Sequence, residues 1–161
     1  MKEIMTKNGY EKISQEIKLI KTVKIKEITI EIEAALEHGD LKENAEYHSA
    51  KENLDNLGRK LEELGVILAN ANIVDPTEYE HNTIKFGSTF TIEDEDTEEE
   101  VTYTVVGNTE SDLDKGLISM NSPLMKQLMG ESEGGSLTIK LPNGEKDYEV
   151  IKVWFDGSKF E

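Results

Sequence analysis

One stretch constrains the fold more than any other. Tyr47, Ala50, Leu54, Leu57, Leu61, Leu64, Leu68 and Ala71 follow a 3-4-3-4 spacing without a break. On a helix that spacing lays every apolar side chain on one stripe, the a/d seam of a coiled coil. Gly58 and Gly65 fall off the seam. Each costs about 1 kcal/mol of helix propensity without interrupting the pattern. The run stops before Pro76, whose ring cannot continue a helix. An apolar stripe needs a partner, and the preceding residues supply one. Tyr10, Ile13, Ile17 and Ile20 hold one seam; Ile25, Ile28, Ile32 and Ala35 hold another. The eleven residues from Ile17 to Ile28 predict a stutter that locally unwinds a supercoil.

The two runs meet at "HGDLKENAEYH", residues 38–48. Gly39 suits the left-handed C′ position that ends the first helix, and Asp40 the N-cap of the second. The expectation is an antiparallel hairpin. With residues 8–37 helical it would extend about 45 Å and carry a dense polar cluster at its tip.

After Pro76 the pattern changes. "IKFGSTFTI", "EVTYTVV", "SLTIKL" and "DYEVIKVW" are short and β-rich, and Asn143-Gly144 predicts a hairpin turn. "NSPLMKQLMG" predicts a short helix with Ser122 as N-cap, Pro123 at the first position and Gly130 at the stop. The acidic run "EDEDTEEE", residues 93–100, reads as a solvated loop between the first two strands. The fold class is mixed and multi-domain, α followed by α+β. Residues 1–75 form the coiled-coil hairpin with an acidic tip at 38–48, residues 76–81 a linker, and residues 82–161 a small α+β domain.

Charge and composition narrow the function. The 161 residues carry a net charge of −16 and no cysteine, which excludes disulfides and thiol chemistry. So acidic a chain would repel free DNA or RNA. The exception is residues 1–26, with seven lysines against three glutamates. That strip reads as a solvated helix face, or as a local contact with nucleic acid or an acidic surface. No apolar run is long enough to span a bilayer and the N-terminus has no apolar signal region, so a cytoplasmic protein is expected.

The tip residues admit two readings. Asp40-x-x-Glu43 opening an apolar-periodic helix is an aspartate variant of the capping box. The same two carboxylates could instead do chemistry. A helix-hairpin tip has no walls and cannot hold a substrate or exclude water by itself, so such carboxylates would have to complete another protein's active site. A transition-metal site from His38, His48 and Asp40 is a third possibility, while no cleft supports a Ser49-histidine relay.

"HGDLKENAEYHSAKE" resembles the signature of the bacterial Gre family of transcript-cleavage (transcription elongation) factors, close to its GreA type. "MTKNGYEKISQEI", "ANIVD", "LISMNSPLMKQLMG" and "PNGEKDYEVIKV" extend the resemblance over essentially the whole chain. It implies an FKBP-like C-terminal docking domain and a monomeric accessory factor rather than an enzyme. It implies binding to bacterial RNA polymerase, with the hairpin entering the secondary channel and meeting the 3′ end of the nascent RNA. Asp40 and Glu43 would lie near the catalytic Mg²⁺ and help hold a second Mg²⁺, with Leu41, Asn44, Glu46 and Tyr47 supporting the tip. The polymerase would then cleave backtracked RNA and resume elongation. The chain departs from the family where Ile25-Lys26 replaces a frequent Arg-Pro and Leu36 a frequent arginine. Lys18, Lys21, Lys24, Lys26 and Lys51 are the basic residues left to face RNA. Two rivals are a coiled-coil chaperone or adaptor whose tip only caps a helix, and a prolyl isomerase. The latter requires Phe86, Phe90, Tyr103, Trp154 and Phe155 to converge on one pocket.

Overall fold

The computed structural model describes residues 2–37, 39 and 44–161. They form two compact units: Tyr10–Ala71, and Lys2–Gly9 together with Asn72–Glu161.

The first unit is a helical hairpin. Its first arm runs through α1 (Lys7–Leu19), a π-helical segment (Ile20–Lys24) and α2 (Ile25–Leu36); its second is α3 (Ala45–Ala69). Every seam residue from Tyr10 to Ala35 and from Tyr47 to Leu68 is buried or half-buried, and Ile20, Ala35, Ala50 and Leu64 are nearly sealed. The predicted stutter takes a different form. The step from Ile20 to Ile25, where one seam passes to the other, is five positions, one more than an α-turn allows. The chain absorbs that extra residue as a π turn, in which the Ile25 N–H donates to the Ile20 carbonyl. Both seams therefore face the same way without unwinding a longer stretch.

The hairpin seam also ends earlier than its spacing suggests. α3 stops at Ala69, and Ala71–Ile73 is a strand, β2. It pairs with β1 (Glu3–Met5), and the Val74 N–H continues the contact with a 2.9 Å bond to the Met5 carbonyl.

The second unit is an α+β domain around one five-stranded sheet of order β5-β4-β3-β7-β6. β3 (Thr89–Asp94), β4 (Glu100–Val106), β6 (Ser136–Leu141) and β7 (Gly144–Trp154) pair antiparallel, while β5 (Leu117–Ser119) runs parallel to β4. The β6–β7 turn is one residue earlier than expected. Leu141 pairs with Gly144, so Pro142-Asn143 is the loop and Gly144, at φ +133°, opens β7. α4 (Pro123–Leu128) follows its predicted grammar: the Ser122 hydroxyl accepts from the Met125 N–H and Gly130 takes φ +88°. Its Met125 and Leu128 pack with Phe90, Ile92, Val105, Ile139 and Val150 in the core.

Residues 2–9 belong to this unit rather than to the hairpin. Glu110 accepts hydrogen bonds from the Thr6 hydroxyl (2.7 Å) and the Thr6 N–H (3.2 Å), and the Thr6 hydroxyl accepts from the Gly9 N–H. Residues 76–81, expected as a linker, are also anchored here. Pro76 is buried; His81 stacks on Phe155 and lies 2.6 Å from both the Ser88 hydroxyl and the Pro76 carbonyl. The acidic run is only partly a loop. Glu93 and Asp94 belong to β3 and Glu100 opens β4. Asp94 is buried and organises the turn by accepting from the Asp96 N–H at 2.9 Å.

Candidate functional site

Asn44 links the start of α3 to the end of α2. It stands in extended conformation before Ala45, and its side-chain oxygen accepts from the Tyr47 N–H at 3.1 Å. That is the N-cap bond of α3: the first backbone donors of a helix have no intrahelical partner, and a short polar side chain supplies one. The expectation of Asp40 as the N-cap of the second helix is thereby corrected. Asn44 fills the position because the apolar period starts only at Tyr47, so the helix need not begin before Ala45. The Asn44 amide also donates to the Ala35 carbonyl of α2 at 2.5 Å. Gly39 has φ +108°, the left-handed conformation expected of it, but lies two residues beyond the C-cap Glu37 rather than one.

Asp40 and Glu43, the candidate catalytic and metal-binding pair, lie outside the described residues, as do Leu41, Lys42 and His38. The other supporting residues are placed. Glu46 is exposed in the first turn of α3, where a carboxylate faces the positive end of the helix dipole. Tyr47 is half-buried on the seam, edge-on to His48 at 5.4 Å, with the Lys51 ammonium 6.0 Å from its ring centre. Behind the turn, Ala34, Ala35, Ala45, Ser49 and Ala50 border an open groove of about 510 Å³ between α2 and α3.

Lys18, Lys21, Lys24, Lys26 and Lys51 are all exposed. Lys18, Lys21 and Lys26 each follow a seam residue (Ile17, Ile20 and Ile25), so they share one flank of the first arm. Lys24 precedes Ile25 and lies on the opposite flank. Among the described residues, no group of three or more His, Asp or Glu side chains is arranged to hold a metal ion. Nor is any helix among them long and apolar enough to cross a membrane.

Phe86, Phe90, Tyr103, Trp154 and Phe155 do not all converge, although Phe90 and Tyr103 lie 6.2 Å apart. Phe90 is wholly buried in the core. Trp154 is paired with Thr89, the neighbour of Phe90 in β3, and so lies on the other sheet face, beneath Lys152 at 4.7 Å. Phe155 stacks with His81 and Phe160.

The carboxylates of this unit show their surroundings in their proton affinities. Asp94 is held below the ordinary carboxylate range, first by the Asp96 N–H, against the effect of burial, with help from the Thr97 N–H and Lys146. Glu93 is pushed up, first by burial and then by Glu100 and Glu149, its opposite numbers on both neighbouring strands.

The chain matches two family models. Residues 3–73 match "Transcription elongation factor, N-terminal", and residues 79–155 match "Transcription elongation factor, GreA/GreB, C-term". It is 50% identical over 160 residues to transcription elongation factor GreA of a Nitratiruptor species, covering 99% of this chain and 98% of that one. It is 48% identical over 159 residues to GreA of Helicobacter hepaticus, with the same coverage. Among solved structures, the GreA factor homolog 1 protein of Thermus thermophilus is 26% identical with a TM-score of 0.44, covering 95% of this chain and 99% of that one.

Proposed function

Because the chain belongs to the GreA/GreB family of transcription elongation factors and is of GreA type, we propose that it binds bacterial RNA polymerase and stimulates cleavage of backtracked RNA. The second unit docks on the polymerase, and the helical hairpin enters the secondary channel. There Asp40 and Glu43 share a Mg²⁺ ion with the polymerase. The polymerase performs the hydrolysis and the factor is an accessory protein, monomeric and cytoplasmic.

Asn44 is the observation that carries this reading. It fills the N-cap of α3, so Asp40 and Glu43 are not needed to start that helix and their charges are available for another purpose. The donor set fits the ion. Mg²⁺ is held through one or two carboxylates while it keeps water and phosphate oxygens in its other positions. Bound beside a resident ion, it supplies charge stabilisation to the attacking and leaving oxygens of a phosphoryl displacement. This chain brings the two carboxylates to the RNA 3′ end and holds them there. The exposed lysines, Lys18, Lys21 and Lys26 on one flank of the first arm, Lys24 on its other flank and Lys51 on α3, offset the chain's acidity where it meets the transcript.

A stalled elongation complex tests the proposal. The protein should accelerate release of the 3′ RNA fragment. The Asp40→Asn/Glu43→Gln double variant should lose that acceleration by orders of magnitude, keep its melting temperature, and compete with the parent for the polymerase. Near-normal cleavage by the double variant at matched occupancy would defeat the metal-sharing reading and leave an adaptor.

A further inference from the structure

We infer that the outer edge of β6 is a strand-pairing surface for a second copy of this chain, and that Gln127 of α4 guards it by occupying the backbone of Lys140.

An open sheet has two edge strands, and each presents N–H and C=O groups that another chain can take up. Here one edge is β5, only three residues long. The other is β6, with six residues. Its Lys140 turns both backbone groups away from β7 and toward α4. The Gln127 side-chain oxygen accepts from the Lys140 N–H at 2.8 Å, and the Gln127 amide donates to the Lys140 carbonyl at 2.9 Å and to the Pro123 carbonyl at 3.0 Å. One carboxamide thus stands where the peptide group of a further strand would stand. Backbone groups alternate in direction along an antiparallel strand. The N–H and C=O of Ser136 and Thr138 therefore face outward as well, and both residues are exposed.

Antiparallel self-pairing centred on Thr138 suits the side chains. It sets Lys140 of one copy opposite Ser136 of the other. Ser136 is paired within its own sheet with Glu149, and paired residues share a face. The lysine and the glutamate then stand two strand spacings apart, about 10 Å, with only a small serine between them. Both side chains are long enough to meet above it. Among the described residues, neither has an ion-pair partner in its own chain. A two-fold arrangement makes the contact twice. Gln127 opposes the arrangement directly, because Ser136 of the second copy needs the same Lys140 N–H and C=O.

The test compares the full-length parent with Gln127→Ala and Gln127→Glu by analytical ultracentrifugation over a range of concentrations. Salt of about 0.15 M screens most of the long-range repulsion between two acidic chains. The parent should remain monomeric where Gln127→Ala dimerises, and the variant should pair roughly ten- to a hundredfold more tightly, as expected for two freed backbone groups. Gln127→Glu keeps the acceptor but opposes a carboxylate to the Lys140 carbonyl, so it should fall between the two. It carries the comparison by itself if Gln127→Ala does not fold. Adding Thr138→Pro removes the central outward donor, a change that an edge strand tolerates, and should restore the monomer. Adding Lys140→Glu should do the same by opposing Glu149. Amide exchange in residues 136–140 should slow as the variant dimerises. Gln127 variants that stay monomeric throughout overturn the inference. A dimer that survives both Thr138→Pro and Lys140→Glu overturns it too, because its contact then lies elsewhere.

Discussion

The Ile25 N–H donates to the carbonyl of Ile20, five residues back rather than four. That one bond keeps Ile13, Ile17 and Ile20 in line with Ile28, Ile32 and Ala35. Removing Thr22 shortens the gap to four residues and should convert the π turn to an ordinary α turn with the seam intact. The variant should melt at or above the parental temperature. Removing Thr29 instead rotates Ile32 and Ala35 away from α3. Losing the partial burial of Ile32 costs about 1 kcal/mol, or roughly 2–4 °C. Thermal melts followed by circular dichroism compare the two. Equal losses would show that the π turn does not serve the seam.

The Glu110 carboxylate holds both the N–H and the hydroxyl of Thr6. Glu110→Ala should destabilise the second unit by about 1.5–3 kcal/mol, the range for hydrogen bonds to a charged group. Gly107→Ala should do more damage at the same place, because a Cβ there would stand 2.0 Å from the Ile4 carbonyl oxygen. Exchange of the Val74 amide, which donates to Met5, should rise in both. A protected Val74 in either variant would contradict the assignment of residues 2–9 to this unit.

Glu93 lies between Glu100 and Glu149 across three strands, and its proton affinity is raised. A carboxylate with a raised folded pKa stabilises the fold below its unfolded value, near 4.3. That contribution is lost as pH rises through the folded pKa. At neutral pH the charge therefore opposes folding. Glu93→Gln should raise the melting temperature at pH 7, and the gain should shrink near pH 4 and in high salt. Asp94 is the opposite case. Its lowered pKa contributes stability above the unfolded value near 3.9, lost as pH falls through the folded one. Asp94→Asn should therefore cost stability at pH 7 and progressively less in acid. Flat pH profiles in both variants would remove the electrostatic account.

The free protein should hold Mg²⁺ feebly, since two tip carboxylates leave most coordination positions to water. Calorimetry should detect no micromolar Mg²⁺ or Zn²⁺ binding, while the factor should lower the Mg²⁺ needed for cleavage by the polymerase. Micromolar binding by the protein alone would refute a shared ion and revive the histidine alternative at His38 and His48.

Much of this fold is legible in the residues themselves. The leucines from Leu54 to Leu68 repeat for over two heptads, and that length of period leaves one geometry. Ser122, Pro123 and Gly130 specify α4 because each has a backbone reason for its place. The failures are physical too. β1 and β2 have three residues each, too few to show alternation, and their pairing joins residues far apart in sequence. The extra residue before Ile25 is plain in the spacing, but a stutter and a π turn accommodate it equally on paper. Asp40 and Asn44 are both good N-cap types, and choosing between them requires knowing that Ala35 lies within reach of Asn44. The metal role of Asp40 and Glu43 comes from resemblance alone, since spacing leaves it open beside the capping box.

The long-range partners of residues 2–9 predict an order of folding. Thr6 emerges from the ribosome long before Glu110, its partner, and β1 long before β2. The helical hairpin lies between them in the chain and can zip from its turn by contacts of steadily growing range. Once zipped, it replaces a free loop of some sixty residues with a short-circuited one, so β1 meets β2 at little further entropic cost. The closed hairpin thus brings the two strands that flank it in the chain within pairing reach of each other.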